Sequence, residues 1–510
     1  MSVDFLSWWG SPAGQTLTWL VVVDFVIRVV ALGTVPHNRR PSSALAWLAL
    51  IFFFPIAGLV IFLLFGRLRL RGSRAAFEHR LADELRRNDD HPARKEAEPD
   101  VRLARIPPAV SAAVTLNRNN GATPLTAGNE LTLHTAYDES LEAMTRCVKQ
   151  AVSFVHVQFY IVAADSTTDC FFAALVEAHA RGVQVRVLLD HLGSKGFPGY
   201  RAATSRLDAA GISWRKMLPV APPRFQYQRP DLRNHRKIVV VDNRVGFTGS
   251  QNIIDASYNK KRNRRKNFEW IDLMVEVEGP TVPQLNTVFL ADWSAETHET
   301  ETREDIEVQA AAPSTGPVRN ALGSQLLPSY SQLIPSGPGL GNSNNLRLFN
   351  HLIYGAEQRV VICSPYLVPD ESLLIALTSA AQRGIDVDVH LGATSDHVLT
   401  HHAQRSYYEE LLRAGVNIHL YRQPFVLHSK FVIIDSYTSV IASSNMDVRS
   451  FELNQEISLL VLDRRIVGEL GELAARYAGE SSTLDLSSWR ERPAHQKFLD
   501  NACRLTANLQ

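Results

Sequence analysis

Apolar residues fill two early runs of the chain and then give way to shorter, periodic patterns. Gln15 to Thr34 carries only Asp24 and Arg28 as charges, and Ala44 to Phe65 carries none. As a helix, each run is long enough to cross a hydrocarbon core. Residues 1–70 are therefore expected to form a membrane anchor with transmembrane helices at about 15–34 and 44–65. Asp24 and Arg28 are four apart, so a helix stacks them on one face where they can pair. Unpaired, each would cost about 2.5–3.5 kcal/mol near the bilayer centre; a partly interfacial helix is the competing reading of this run. Arg67, Arg69, Arg71 and Arg74 follow the second run, against Arg39 and Arg40 between the runs. The larger cluster places the amino terminus and the rest of the chain on the cytoplasmic side of a bilayer.

After a charged, then Ala-, Pro- and Asn-rich linker over 71–125, the pattern becomes that of layered α/β structure. Phe154 to Ile161 reads as a strand, Phe171 to Arg181 as a helix stopped by Gly182, and Val183 to Asp190 as a strand; Gly211-Ile212 opens another. After a second linker over 301–343 the plan returns: strand Arg359 to Cys363, helix Leu373 to Arg383, strand Gly384 to Leu391, helix Gln404 to Ala414, and a strand opening at Gly415-Val416. Such a long-period repeat predicts two similar α/β domains, over 126–300 and 344–510, facing each other across a pseudo-twofold with one site between them.

Within this frame one spelling occurs twice. Asn234-His235-Arg236-Lys237 leads through four apolar residues to Asp242 and then Gly249-Ser250-Gln251-Asn252; Leu427-His428-Ser429-Lys430 leads likewise to Asp435 and Ala442-Ser443-Ser444-Asn445. Side chains alternate on a strand, so His and Lys share a face while Asp lies on the opposite parity. Two imidazoles can divide the work of nucleophile and proton donor. Two lysines with Ser250, Asn252, Ser444 and Asn445 can hold phosphoryl oxygens, where preorganised donors supply a large share of catalysis. No metal or other cofactor is needed. The motif aspartates fit a supporting role better than contact with substrate.

Composition changes this picture little. A chain of 510 residues exceeds a single ordinary core, and a formal net charge of +1 gives no global argument for nucleic acid. Cys147, Cys170, Cys363 and Cys503 are scattered and read as small buried hydrophobes, and His156 reads as an ordinary strand residue. Six basic residues lie among the seven from Lys260 to Lys266, a solvated loop that could also attract anionic headgroups.

The duplicated motif resembles the signature of the phospholipase D superfamily. Flanking text, including Pro41 to Trp47, Ser336-Gly337-Pro338, Ser364 to Glu371 and Asn445 to Glu456, is similar to the bacterial cardiolipin synthases. The resemblance implies a phosphatidyl transfer through a phosphohistidine, with His235 as nucleophile and His428 as acid and base, although the likeness of the two copies leaves their order open. It implies Asp272 and Glu456 as the carboxylates that orient the imidazoles, and adds Lys237, Lys430, Asp242 and Asp435 to the catalytic set. Phosphatidylglycerol and anionic membrane lipids are the implied partners, without nucleic acid, in a multi-pass protein of the bacterial inner membrane. Another phospholipid hydrolase or transphosphatidylase, or a membrane-tethered nuclease, is the alternative. Two departures stand out: Ala442 replaces a usual glycine, and no Arg precedes Asp272.

Overall fold

A computed structural model describes residues 12–37, 39, 41–66, 106–221, 226–227, 229–297, 329–338, 340, 343–395 and 397–505. The chain divides into two compact units, Met1–Arg69 and Leu70–Gln510.

In the first unit the apolar runs form helix α1 (Pro12–Thr34), helix α2 (Pro41–Phe53), helix α3 (Pro55–Ile61) and a π-helical turn (Phe62–Gly66). Asp24 and Arg28 pair as their spacing predicts, at 2.9 Å. The second run is not one rod. Pro55 brings no N–H and its ring clashes with the preceding turn, so the helix breaks at Phe54 (φ −135°, ψ 75°). Beyond the break α3 folds back so closely that a Cβ on Gly58 would lie 2.7 Å from the Leu50 carbonyl oxygen. The 13 residues of α2 span only about 20 Å, against a hydrocarbon core of about 30 Å. Among the described residues no helix is long and apolar enough to cross a membrane. The expected transmembrane hairpin, and with it the multi-pass inner-membrane placement, is therefore corrected. Arg40 and the Arg67–Arg74 cluster used to orient it lie outside the described residues.

The second unit is built on a single sheet of fifteen strands. They are β1 (Thr126–His134), β2 (Phe154–Phe159), β3 (Gln184–Asp190), β4 (Ser213–Met217), β5 (Ile238–Val241), β6 (Val245–Gly249), β7 (Met274–Glu278), β8 (Ser329–Ser336), β9 (Arg359–Cys363), β10 (Asp386–Gly392), β11 (Asn417–Tyr421), β12 (Phe431–Ile434), β13 (Thr438–Ala442), β14 (Glu456–Leu462) and β15 (Ser481–Thr483). Their order across the sheet is β15-β11-β10-β9-β12-β13-β14-β8-β1-β7-β6-β5-β2-β3-β4. Apart from the edge strand β15, the order reads the same from either end: β4-β3-β2-β5-β6-β7-β1 in one half matches β11-β10-β9-β12-β13-β14-β8 in the other. The halves join where β1 and β8 pair antiparallel. Helices Thr281–Thr297 and Arg464–Gly479 follow β7 and β14 and bury Phe289, Trp293, Leu470 and Tyr477 in a core shared by strands of both halves.

Local patterning set most of these elements. The helices Asp169–Ala180 and Glu371–Gln382 lie within two residues of the predicted spans. The span Gln404 to Ala414 is instead two helices, Val398–Arg405 and Tyr408–Ala414, interrupted at Ser406-Tyr407. Cys170 is exposed, unlike the other three free cysteines.

Candidate active site

Each motif enters its strand alongside the opposite half of the molecule. Asn234 bridges in parallel to Gln455, and the His235 N–H donates to the Gln455 carbonyl at 2.8 Å. Likewise Phe425-Val426-Leu427 runs parallel to Glu269-Trp270-Ile271, and the His428 N–H donates to the Ile271 carbonyl at 2.8 Å. Each histidine is thereby seated next to the residue that opens, or just precedes, the other half's β14 or β7.

That seating decides the hydrogen bonds of the rings. His235 Nδ1 lies 3.0 Å from Glu456 Oε2, and His428 Nδ1 lies 2.6 Å from Asp272 Oδ1. A serine hydroxyl completes each carboxylate: Ser443 Oγ donates to Glu456 at 2.5 Å and Ser250 Oγ donates to Asp272 at 2.6 Å. Both hydroxyls also accept backbone N–H groups, from Ile457 and Leu273, at 2.9 Å. With Nδ1 committed to a carboxylate, Nε2 is left as the reactive nitrogen of each ring.

Lys237 and Lys430 lie beside their histidines, as strand parity predicts, and each ammonium donates to its own histidine's carbonyl, at 2.6 and 2.8 Å. Both are buried. Burial, reinforced by the Lys430 charge, pushes Lys237 down to about 7, and burial pushes Lys430 down to about 8. Burial and Lys237 lower His235 to about 4 against the opposing pull of Glu456, while burial and Lys430 lower His428. Burial alone would raise both carboxyls. The His235 and Lys237 charges around Glu456, and those of His428 and Lys430 around Asp272, outweigh it and hold both below their usual range. Lys430 acts on His235 and Lys237 acts on His428, so the two motif copies belong to one electrostatic environment.

The remaining motif residues divide differently. Asp242 and Asp435 sit at the far ends of β5 and β12 from the imidazoles, both with φ of 54°. Asp242 accepts the N–H groups of Val152, Ser153 and Phe154, each at 2.8 Å, and Asp435 those of Glu357, Gln358 and Arg359 at 2.8–3.2 Å. They anchor the chain entering β2 and β9 and are not brought to the site. Asn252 spends its amide on the Ile161 N–H (3.1 Å) and the Tyr258 hydroxyl (2.9 Å). Ser250 likewise serves Asp272. Ser444 donates to the Asn445 carbonyl at 3.1 Å; the true counterpart of Ser250 is Ser443. The motif frame carried that signal, since Ser250 and Ser443 follow Asp242 and Asp435 at the same spacing.

Other neighbours had no sequence signal. The Tyr160 ring meets His235 edge-on at 4.9 Å, and the Tyr258 ring meets His428 at 6.4 Å. Arg236, in the middle of the first motif, is buried, with Asp292 at 2.8 Å and the Glu456 carbonyl at 3.1 Å. Its counterpart Ser429 meets the Tyr477 hydroxyl at 3.0 Å. The basic run forms the short helix Lys261–Arg265, with Lys260 over the Phe197 ring and Lys266 over Phe268. Among the described residues no group of three or more His, Cys, Asp or Glu is arranged to hold a metal ion.

The family described as "Cardiolipin synthase, PLD-like domain" matches residues 144–293 and again 349–477, and that described as "Phospholipase_D-nuclease N-terminal" matches 17–67. Cardiolipin synthase A of Proteus mirabilis is 31% identical over 95% of both chains. That of Pectobacterium carotovorum is 32% identical over 95% of this chain and 96% of its own. Among solved structures, phosphatidylserine synthase of Haemophilus influenzae superimposes with a TM-score of 0.58 at 14% identity, covering 79% of this chain and all of the other, a likeness of fold. With both halves matched and relatives aligned almost end to end, this chain belongs to the phospholipase D superfamily and is closely related to bacterial cardiolipin synthase A.

Proposed function

We propose that the protein is a phosphatidyltransferase that converts two phosphatidylglycerols into cardiolipin and glycerol. The observation that carries the reading is the reciprocal pairing of each imidazole with a carboxylate from the opposite half. It leaves two Nε2 atoms and two ammonium groups for a phosphodiester. In the first step His235 Nε2, neutral at pH 7, attacks phosphorus while His428 gives its Nε2 proton to the departing glycerol oxygen. In the second, His428 takes the proton of the acceptor's glycerol hydroxyl, whose oxygen attacks phosphorus and releases His235. Lys237 and Lys430 stabilise the charge on the nonbridging oxygens. The bound phosphate in turn raises the pKa of both lysines and of His428, keeping them protonated when needed. Residues 126–300 and 344–510 act as two phospholipase D-like domains sharing this site.

The test is lipid product analysis with labelled phosphatidylglycerol, for the wild type, His235→Ala and His428→Ala. Cardiolipin and glycerol in equal amounts from the wild type, and neither from the variants, is the expected result. Cardiolipin from either variant, or phosphatidic acid as the wild type's sole lipid product, overturns the proposal.

A further inference from the structure

Near the carboxyl end of the second unit one helix is inverted with respect to ordinary packing. In Ala494–Arg504 the side facing the protein carries Gln496, Asp500 and Cys503, and of these Asp500 and Cys503 are buried. The side facing solvent carries Ala494, Phe498, Ala502 and, at the cap, Leu505, a spacing that aligns them on one face. Phe498 is 75% exposed, Leu505 86%, and Leu499 beside them 45%. Single exposed apolar residues are ordinary, but a continuous stripe about 16 Å long marks a surface that meets something. An ionic cluster fixes this orientation. The Asp500 carboxylate takes His402 Nδ1 at 2.8 Å, Arg405 Nε at 3.3 Å and Arg492 Nη1 at 2.5 Å. Phe498 and Asp500 point to opposite sides of the helix, so rolling the apolar face inward would break all three contacts.

The helix it packs on stands at the catalytic end of the sheet. His402 and Arg405 belong to Val398–Arg405, whose first residues, Val398 and Leu399, are themselves exposed. That helix follows the end of β10 at Gly392, where a Cβ would lie 3.7 Å from the backbone nitrogen of Leu427, the residue before His428. Its Gln404 Oε1 accepts the Leu367 N–H at 3.1 Å, and Leu367 pairs with Met446, the residue after Asn445. Charge at the stripe is also one-sided. Asp500 is the only acid of Ala494–Arg504 and is turned inward, so no carboxylate of this helix faces out to repel an anionic surface. Lys497 and Arg504 line one flank. Of the neighbouring acids, Glu410 pairs with Arg504 at 3.5 Å and Glu409 with Arg490 at 3.1 Å.

We propose that the outer face of Ala494–Arg504 docks on the surface of an anionic phospholipid bilayer and so sets the catalytic end of the sheet against the lipid. Phe498 and Leu499 enter the boundary between headgroups and acyl chains, while Lys497 keeps its ammonium among the headgroup phosphates. Contact of this kind lies along the interface and calls for no helix that crosses it. The inference goes beyond the transfer chemistry and rests on that reading only for a phospholipid substrate.

A site-specific label tests it in the full chain. With the exposed Cys170 replaced by Ser, an environment-sensitive fluorophore is attached at Phe498→Cys or, as control, at Val152→Cys. Val152 is exposed and lies at the other end of the sheet, where its N–H meets Asp242. The vesicles are equimolar phosphatidylcholine and phosphatidylglycerol, with or without a nitroxide on the acyl chains. The label at position 498 should brighten on vesicles and lose about half or more of its emission to the nitroxide, and the label at 152 less than about a tenth. In parallel, Phe498→Asp should lower the rate on these vesicles at limiting lipid about tenfold to a hundredfold, and leave the rate on monomeric short-chain phosphatidylglycerol within about twofold. Equal quenching at both positions, none at 498, or an unchanged vesicle rate in Phe498→Asp overturns the docking surface. So does brightening that follows protein concentration without vesicles, which assigns the stripe to a second copy of the chain. The label reports with or without turnover: quenching confined to 498 in a protein that makes no cardiolipin keeps the docking surface and sinks the transferase reading instead.

Discussion

Replacing Glu456 by Gln asks how much the carboxylate behind His235 contributes. Glu456 is fully buried; Oε2 takes His235 Nδ1 at 3.0 Å and Ser443 Oγ at 2.5 Å, and Oε1 takes Asn454 Nδ2 at 3.2 Å. Glutamine keeps the shape but must turn one way or the other. With its NH₂ towards His235, Nδ1 would turn acceptor, against its other neighbour, the Ser443 carbonyl oxygen at 3.1 Å, and the proton would move to Nε2, blocking the attacking atom. In a serine protease triad an equivalent tautomer inversion costs about 10⁴ in turnover. With its oxygen towards His235, its NH₂ faces Asn454, whose Oδ1 is buried and unpartnered. A flip of the Asn454 amide then supplies an acceptor, so this orientation wins and the tautomer survives. What is lost is the difference between a charged and a neutral acceptor, about 1–2 kcal/mol. Turnover should therefore fall about fivefold to thirtyfold. Initial rates of glycerol release from labelled phosphatidylglycerol, at saturating lipid, measure it. A rate within threefold of wild type would refute the orienting role, and a loss near 10⁴ would refute the orientation argument. Asp272→Asn should cost a similar factor. It should also raise the fraction of enzyme trapped as phosphohistidine, because without the Asp272 charge His428 gives its proton more readily in the first step and takes one less readily in the second, whereas Glu456→Gln should lower that fraction.

Asp242→Ala and Asp435→Ala each remove a charged acceptor from three backbone N–H groups. Each should destabilise the fold by about 2–3 kcal/mol in urea titrations, while turnover per folded molecule changes less than about threefold. A large loss of turnover without a loss of stability would return these residues to the catalytic set. Gly249 has φ of 151°, and a Cβ there would lie 2.3 Å from the Leu273 carbonyl oxygen, next to the Ser250–Asp272 contact. Gly249→Ala should cost both stability and activity, whereas Ala442→Gly should cost about 0.5–1 kcal/mol and little activity; equal effects would contradict the asymmetry. Stability should also fall as pH drops from about 6.5 to about 4. Burial lowers His235, His390 and His401 to about 4, so within this window the unfolded chain binds protons that the folded chain refuses. Each contributes up to about 1.4 kcal/mol per pH unit. The depressed Asp272 and Glu456 act in the same direction below about pH 4.3, where the unfolded carboxylates protonate first. A melting temperature that stays flat from pH 6.5 to 4.5 would count against these buried neutral imidazoles.

Much of this protein could be read directly from the chain. Strand β9 spans the Arg359 to Cys363 run read as a strand from the sequence. The duplicated motif announced two equivalent halves, and strand parity put Lys237 with His235 and Asp242 away from both. These are consequences of local geometry, since a period of two or of 3.6 residues is written within a few positions. The membrane reading failed on the same terms: hydropathy registers how apolar a run is, while Pro55 and the close approach at Gly58 decide whether it stays one helix. What tertiary structure alone decided is which carboxylate meets which imidazole. His235 and Glu456 are 221 positions apart and His428 and Asp272 are 156 apart, and each pair crosses between halves. So does Arg449, which reaches Asp231 over 218 positions. No local period encodes such contacts. They exist because β1 and β8 join the halves into one sheet and because each histidine strand borrows its backbone partner from the other half.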